Sequence, residues 1–257
     1  RFAVQTLAAN VDPLLIVTSC NQDFNVGRIE RYLALAAEAG TRPVLVLTKA
    51  DLAPDPYPGP GNYVAQARAL DERLQIERLD ARDPEQLAPL HRLCGSGQTV
   101  AVLGSSGVGK STLVNSLTGA DQAVGAVRGD DNKGKHTTTS RSLHRLPDGG
   151  VLVDLPGIRE LQLTETAAGI DDTFAEVAAL IADCHFSNCT HTTEPGCAIS
   201  AALASGQLDP RRWDSYRKLQ GEQKIYLESK TDRDKTEGRR TISKKDQRRL
   251  DREEGYL

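Results

Sequence analysis

The chain has 257 residues, 39% of them hydrophobic and 26% charged, with a formal net charge of −3. That is room for one large domain and one small one in a globular protein, and it excludes disordered and collagen-like classes. No apolar run reaches membrane-spanning length and no signal peptide is visible, so the expectation is a cytoplasmic protein that stays off membranes.

In chain order, an apolar run near 13–18 reads as a strand and 26–39 carries the helix period. A second strand, near 43–48, runs into Thr48-Lys49-Ala50-Asp51. This fits the Asn/Thr-Lys-x-Asp pattern that reads guanine. Two carboxylate oxygens face two donors, the ring N–H and the exocyclic amine, a pair that adenine lacks. Asp51 is expected to be buried, so that adenine would leave it unpaired. Lys49 is expected to lay its stem along the base. An ordinary strand-to-helix connection has the same look over four residues. Residues 54–62, with four prolines and two glycines, read as a surface loop. A helix near 62–73 and a strand near 75–79 follow. Asp80-Ala81 then stands where a short Ser-Ala-like step would touch the guanine carbonyl through backbone N–H.

A helix near 84–93 leads to a strand near 98–103 and to Gly104-Ser105-Ser106-Gly107-Val108-Gly109-Lys110-Ser111-Thr112. The first eight residues match the P-loop, GxxxxGK followed by Ser or Thr, at every specified position. A helix near 110–118 completes the strand–loop–helix context. Glycines let backbone N–H groups turn inward around a phosphate. Lys110 supplies charge to the β- and γ-phosphates, and the Ser111 hydroxyl can ligate Mg²⁺. Next come Thr137-Thr138-Thr139, candidates to close over Mg²⁺ and the γ-phosphate. Strands near 141–146 and 150–154 are joined by the hairpin signal Asp148-Gly149-Gly150. The second ends in Asp154-Leu155-Pro156-Gly157, a DxxG element in which Asp154 holds Mg²⁺ through water and the Gly157 N–H meets the γ-phosphate. Ile158 follows, where many GTP-hydrolysing proteins place a water-orienting glutamine. Slow intrinsic hydrolysis is expected, with His136 the candidate to position the water.

From about 171 the pattern is helical. Cys184, Cys189, His191 and Cys197 place four soft ligands within fourteen residues, a set suited to structural Zn²⁺. Five cysteines are an odd count, and Cys20 and Cys94 stand alone, which argues against a disulfide framework. His185 breaks the spacing and reads as a surface histidine. From Asp209 onward fifteen Lys and Arg oppose eleven Asp and Glu, about four positive, and the preceding chain is about seven negative. The basic clusters at 239–240 and 244–249 read either as a solvated helix face or as contacts to RNA phosphates.

In most GTP-binding switches the P-loop comes first and the base reader last. Here the base reader precedes the P-loop, an order that gives the same sheet if the chain is circularly permuted. In that order, and in Ala8-Ala9-Asn10-Val11-Asp12, Gly134-Lys135-His136-Thr137-Thr138-Thr139 and the cysteine spacing, the chain resembles the RsgA (YjeQ) family of circularly permuted bacterial GTPases. Thr48 stands where Asn is commoner in that family, and Asp80 where Ser is usual.

The resemblance implies an α/β fold. A circularly permuted P-loop GTPase domain over 1–165, a mostly parallel sheet with helices on both faces, precedes a helical zinc-binding domain with a basic tail over 166–257. It implies GTP and GDP as ligands, Mg²⁺ with GTP, one structural Zn²⁺, and the small ribosomal subunit with its rRNA as partner. It also implies a small OB-fold ahead of residue 1. A chain that starts at Arg and has no Met reads as a fragment or processed form. A monomer is expected. Two rivals stay open at this level, an ATP-using P-loop enzyme and a zinc-containing RNA-binding scaffold that binds nucleotide without turnover.

Overall fold

A computed structural model describes residues 8–52, 62–119, 142–155 and 166–253, with side chains as far as 231. The proline-rich loop at 54–61, residues 134–139, Gly157 and Ile158 lie outside the described residues, as do the side chains of the basic clusters at 239–249.

Six strands form one sheet. They are β1 (Pro13–Ser19), β2 (Arg42–Thr48), β3 (Gln75–Arg78), β4 (Thr99–Gly104), β5 (Ser142–Arg145) and β6 (Val151–Asp154). Their order across the sheet is β3-β2-β1-β4-β6-β5. All neighbours run parallel except β5 and β6, which are antiparallel, as the Asp-Gly-Gly hairpin signal anticipates. Every residue of β1 is buried, as are the last five of β2. Continuous apolar strands of this kind are those covered on both faces.

The alternation of side chains sorts these residues into two cores. Leu15, Val17, Val44 and Val46 join Leu113, Val114 and Leu117 of α4 (Lys110–Thr118) and Leu90 of α3 (Ala88–Leu93). Leu14, Ile16, Leu45 and Leu47 point the other way. They meet Ile29, Leu33 and Ala36 of α1 (Val26–Glu38) and Ala67 of α2 (Tyr63–Arg68).

Two helices are shorter than their sequence pattern suggests. α2 stops at Arg68 rather than near 73, because Asp71 turns the chain by accepting from Arg73 N at 2.8 Å. The segment 84–93 splits into a 3-10 turn (Pro84–Leu87) and α3, since Pro89 has no N–H to carry a continuous helix.

The C-terminal helices are α5 (Ala167–Thr173), α6 (Ala175–Ala182), α7 (Ala198–Ser205) and α8 (Pro210–Glu253). Their own core, including Ile170, Phe174, Val177, Ile199, Leu208, Trp213 and Leu219, takes in Ala34 of α1. α5 reaches α1 at a glycine: a Cβ on Gly169 would lie 2.1 Å from Ala34 O. The Gly169 N–H donates to Glu38 Oε2 at 3.0 Å. Glu30 of α1, fully buried, accepts from Arg211 and Arg212 of α8 at 3.0 and 2.9 Å, and Arg31 pairs with Glu222. Arg212 also bonds Glu176 and lies 4.1 Å over the Phe174 ring. Among the described residues, no helix is long and apolar enough to cross a membrane.

Candidate functional site

Between β1 and β4 the chain order reverses across the sheet. The crevice outside the carboxyl ends of strands at such a point is where open parallel sheets bind ligands. Gly104 ends β4 there. A Cβ on it would stand 2.7 Å from Val17 O, so only glycine lets the loop leave this close to β1. Gly107 and Gly109 have φ of +83° and +91°, the left-handed region. Gly109 caps α4 and no side chain closes the cap. The first N–H groups of the helix that carries Lys110, Ser111 and Thr112 are thus presented to the crevice, the arrangement that binds phosphate. Ser106 and Gly107 are exposed, whereas Val108 is buried and anchors the loop in the core.

Thr48, at 1% exposure, offers its hydroxyl proton to Val108 O and to Thr18 O, the latter at 3.0 Å. Lys49, at φ +55°, sends its Nζ to Gly107 O at 2.7 Å. A side chain held in the left-handed region costs of order 1–3 kcal/mol and persists where surrounding contacts determine it. Residues expected at the base thus also fasten the end of β2 to the loop that follows β4.

Lys110 and Asp154, expected at the phosphates and at Mg²⁺, meet each other. Lys110 Nζ lies 2.5 Å from Asp154 Oδ1 and 2.6 Å from Leu155 O. Both side chains are buried, and Asp154 Oδ2 has no partner among the described residues. A buried carboxylate oxygen without a partner is costly, and a hydrated cation would satisfy it.

The expectation of a buried Asp51 is corrected. Asp51 lies in the 3-10 turn Ala50–Leu52 beyond the end of β2, is exposed, and accepts from Arg82 Nη2 at 2.9 Å. The same guanidinium grips Asp80 at 2.7 and 2.9 Å and holds its carboxyl below the usual range. Ala81 is buried, and its carbonyl accepts from Ser116 of α4 at 2.7 Å. Arg82 went unnoticed in the sequence, although an Asp two residues before an Arg at a strand end is the pattern of a local Asx pair. Among the catalytic candidates, His136, Thr137, Thr138 and Gly157 lie outside the described residues.

The second site is the cysteine cluster. Around a tetrahedral zinc, sulfur at roughly 2.3 Å and nitrogen at roughly 2.0 Å stand about 3.5 Å apart. Cys184 Sγ and Cys197 Sγ lie 3.5 and 3.6 Å from His191 Nδ1, and the ligand atoms of all four residues lie within 4.8 Å of one another. Cys184 follows α6, and Cys197 caps α7 with its sulfur accepting from Ser200 N at 3.4 Å. Glu194 shapes the turn between the last two ligands. It accepts from the N–H groups of Thr190 and Thr192 at 2.8 and 2.9 Å, and bonds from Thr190 and Thr192 hold its carboxyl well below the usual range. His185 is exposed, its ring rests against Phe186, and it is not one of the four clustered ligands. The set fits a zinc site.

Comparison with known proteins agrees with this geometry. The family model described as RsgA GTPase matches residues 1–164. Small ribosomal subunit biogenesis GTPase RsgA 2 of Vibrio parahaemolyticus is 52% identical over 87% of this chain and 62% of its own length. Small ribosomal subunit biogenesis GTPase RsgA of Mesorhizobium japonicum is 54% identical over 85% of this chain and 63% of its own. The chain therefore spans about three-fifths of the length of these relatives. Among solved structures, YloQ, a circularly permuted GTPase, is similar with a TM-score of 0.57 and 27% identity over 84% of this chain and 69% of that one. YjeQ from Thermotoga maritima is similar with a TM-score of 0.55 and 26% identity over 82% and 70%. A model matched over well more than half of the residues, on a sheet in which the element at 48–51 precedes the glycine-rich loop at 104–111, means that the chain belongs to the RsgA GTPase family.

Proposed function

We propose that the chain is a GTP-hydrolysing molecular switch in late maturation of the small (30S) ribosomal subunit, with hydrolysis stimulated by that subunit. The observation that carries this reading is the latch of Thr48 and Lys49 onto the carbonyls of Val108 and Gly107. It makes one site of two motifs that lie far apart in the chain. The names of the Vibrio and Mesorhizobium relatives support the small ribosomal subunit as partner.

In this reading Gly104 to Thr112 hold the phosphates, while Thr48, Lys49, Asp51, Asp80 and Ala81 read guanine. Lys110 leaves Asp154 for the β- and γ-phosphates, and Asp154 with Ser111 then holds Mg²⁺. The metal would neutralise phosphate charge, and the chain's part is to present the loop N–H groups and the lysine. Thr137, Thr138 and Gly157 supply the switch, and His136 positions the attacking water. Cys184, Cys189, His191 and Cys197 hold one structural Zn²⁺. Residues 1–165 form the nucleotide domain and 166–257 the helical zinc domain of a cytoplasmic monomer that binds GTP and GDP and no membrane.

GTP turnover, measured with and without isolated small subunits, tests the reading. Stimulation by the subunits is expected, and binding without turnover in both conditions would leave only a nucleotide-dependent scaffold. Asp51→Asn should weaken GTP binding and admit xanthosine triphosphate, because the amide donates where xanthine carries a carbonyl. Unchanged preference for GTP removes Asp51 from the base site.

A further inference from the structure

Arg28 has no task in the reading above, yet it touches the phosphate loop. It sits in the first turn of α1, where its N–H donates to the Asn25 cap at 2.8 Å. A cation there faces the positive end of the helix dipole, so helix stability does not call for it. Its Nη1 donates to Ser105 Oγ at 2.6 Å, and a second, longer bond of 3.4 Å goes to Asp23 O. Arg31, Arg82, Arg211 and Arg212 each pair with a carboxylate. Arg28 pairs with none among the described residues, which leaves a cation with donors to spare beside an anion-binding loop.

Its position along the loop tells which phosphate it faces. Thr48 and Lys49 fasten the loop at Val108 and Gly107, the end nearer the base reader. Arg28 fastens it at Ser105, the other end. A nucleotide whose base lies at Asp51 therefore brings its terminal phosphate, rather than its base or ribose, toward Arg28.

We propose that Arg28 is a catalytic residue supplied in cis, its guanidinium contacting the terminal phosphoryl group of bound GTP. The inference rests on the GTP-hydrolysing reading of this site. As the bond from phosphorus to the β–γ bridging oxygen breaks, GDP takes the electron pair. Water oxygen bonds to phosphorus and one proton is released, giving GDP and phosphate. Arg28 stabilises the charge spread over the equatorial oxygens, a contribution of ~10³–10⁵ in rate where an arginine acts this way. Ile158 stands in place of a water-orienting amide, so the rate leans the more on charge stabilisation.

The test compares the parent chain with Arg28→Ala and Arg28→Lys. GDP affinity, GTP turnover on small subunits, and turnover of Arg28→Ala with added guanidinium at low millimolar concentration are measured. Arg28→Ala should keep GDP affinity within about threefold and lose roughly a hundredfold or more in turnover. Arg28→Lys should recover only part of it, lacking the planar fork. Guanidinium should raise the turnover of Arg28→Ala and leave the parent unmoved. An active parent with equally active Arg28→Ala overturns this inference alone, as does a loss matched in GDP affinity and not relieved by guanidinium. A parent that hydrolyses no GTP with subunits overturns the functional reading as well.

Discussion

At the scale of single residues, Thr48 is the most consequential side chain outside the phosphate loop. Its one hydroxyl proton serves two carbonyls, Val108 O and Thr18 O, from a site 1% exposed. Thr48→Val keeps the shape and removes the donor, which leaves buried carbonyls short of a partner at about 1–3 kcal/mol. GDP affinity measured by titration should fall by roughly tenfold, with the fold retained. Affinity equal to the parent's would mean that the latch does not order the loop. That Thr48 keeps an oxygen where Asn is commoner was readable in the sequence. What the oxygen holds was not, because its partner is sixty residues away and a carbonyl carries no sequence signature. Asp51 shows the opposite failure: a motif says that a carboxylate faces the base, but not whether water and an arginine also reach it. Asp80, which breaks the family pattern, answers that arginine.

At the scale of elements, α1 has two jobs on two faces. Ile29, Leu33 and Ala36 pack on the sheet, while Glu30 and Ala34 meet the C-terminal helices. Periodicity finds the first face. It misreads Glu30, which looks like a solvated position and is buried between two arginines. The close crossing at Gly169 was equally hidden, since a glycine in a helical pattern does not say what approaches it. Gly169→Ala drives a methyl into Ala34 O and Glu38 N. Thermal unfolding should show a loss of about 1–3 kcal/mol, as overpacking does. A melting profile equal to the parent's would mean that α5 does not press on α1 in this way. The cluster of Cys184, Cys189, His191 and Cys197 was the most legible element, because ligand type and spacing are themselves the chemistry. Its link to the helix core was not. The His191 ring lies 5.5 Å from Trp213, the chain's single tryptophan. Stripping zinc with a chelator should therefore change tryptophan emission and lower the melting temperature of the C-terminal helices, while GDP binding persists. Unchanged emission and melting on complete metal removal would remove the metal from the structural account.

At the scale of the molecule, all six strands were readable from apolar runs bounded by turn residues, and the permuted motif order was compatible with one sheet. Which helix faces which core was not readable, because it depends on pairings such as Leu14 with Ala101 that no local pattern encodes. That same pairing sets the order in which the protein can be made. β1 lies at the middle of the sheet, and only one of its neighbours, β2, follows it closely in the chain. While the polypeptide is still being synthesised, β1 to β3 can form half a sheet. The open side of that half-sheet is β1, a strand buried along its whole length and apolar from Leu14 to Val17, the kind of edge that recruits other chains. Relief arrives only with β4, the strand that carries the phosphate loop. The nascent chain is thus exposed to misassembly up to the moment its nucleotide site comes into being, and the order that permutes the motifs makes ligand binding and closure of the sheet the same late event.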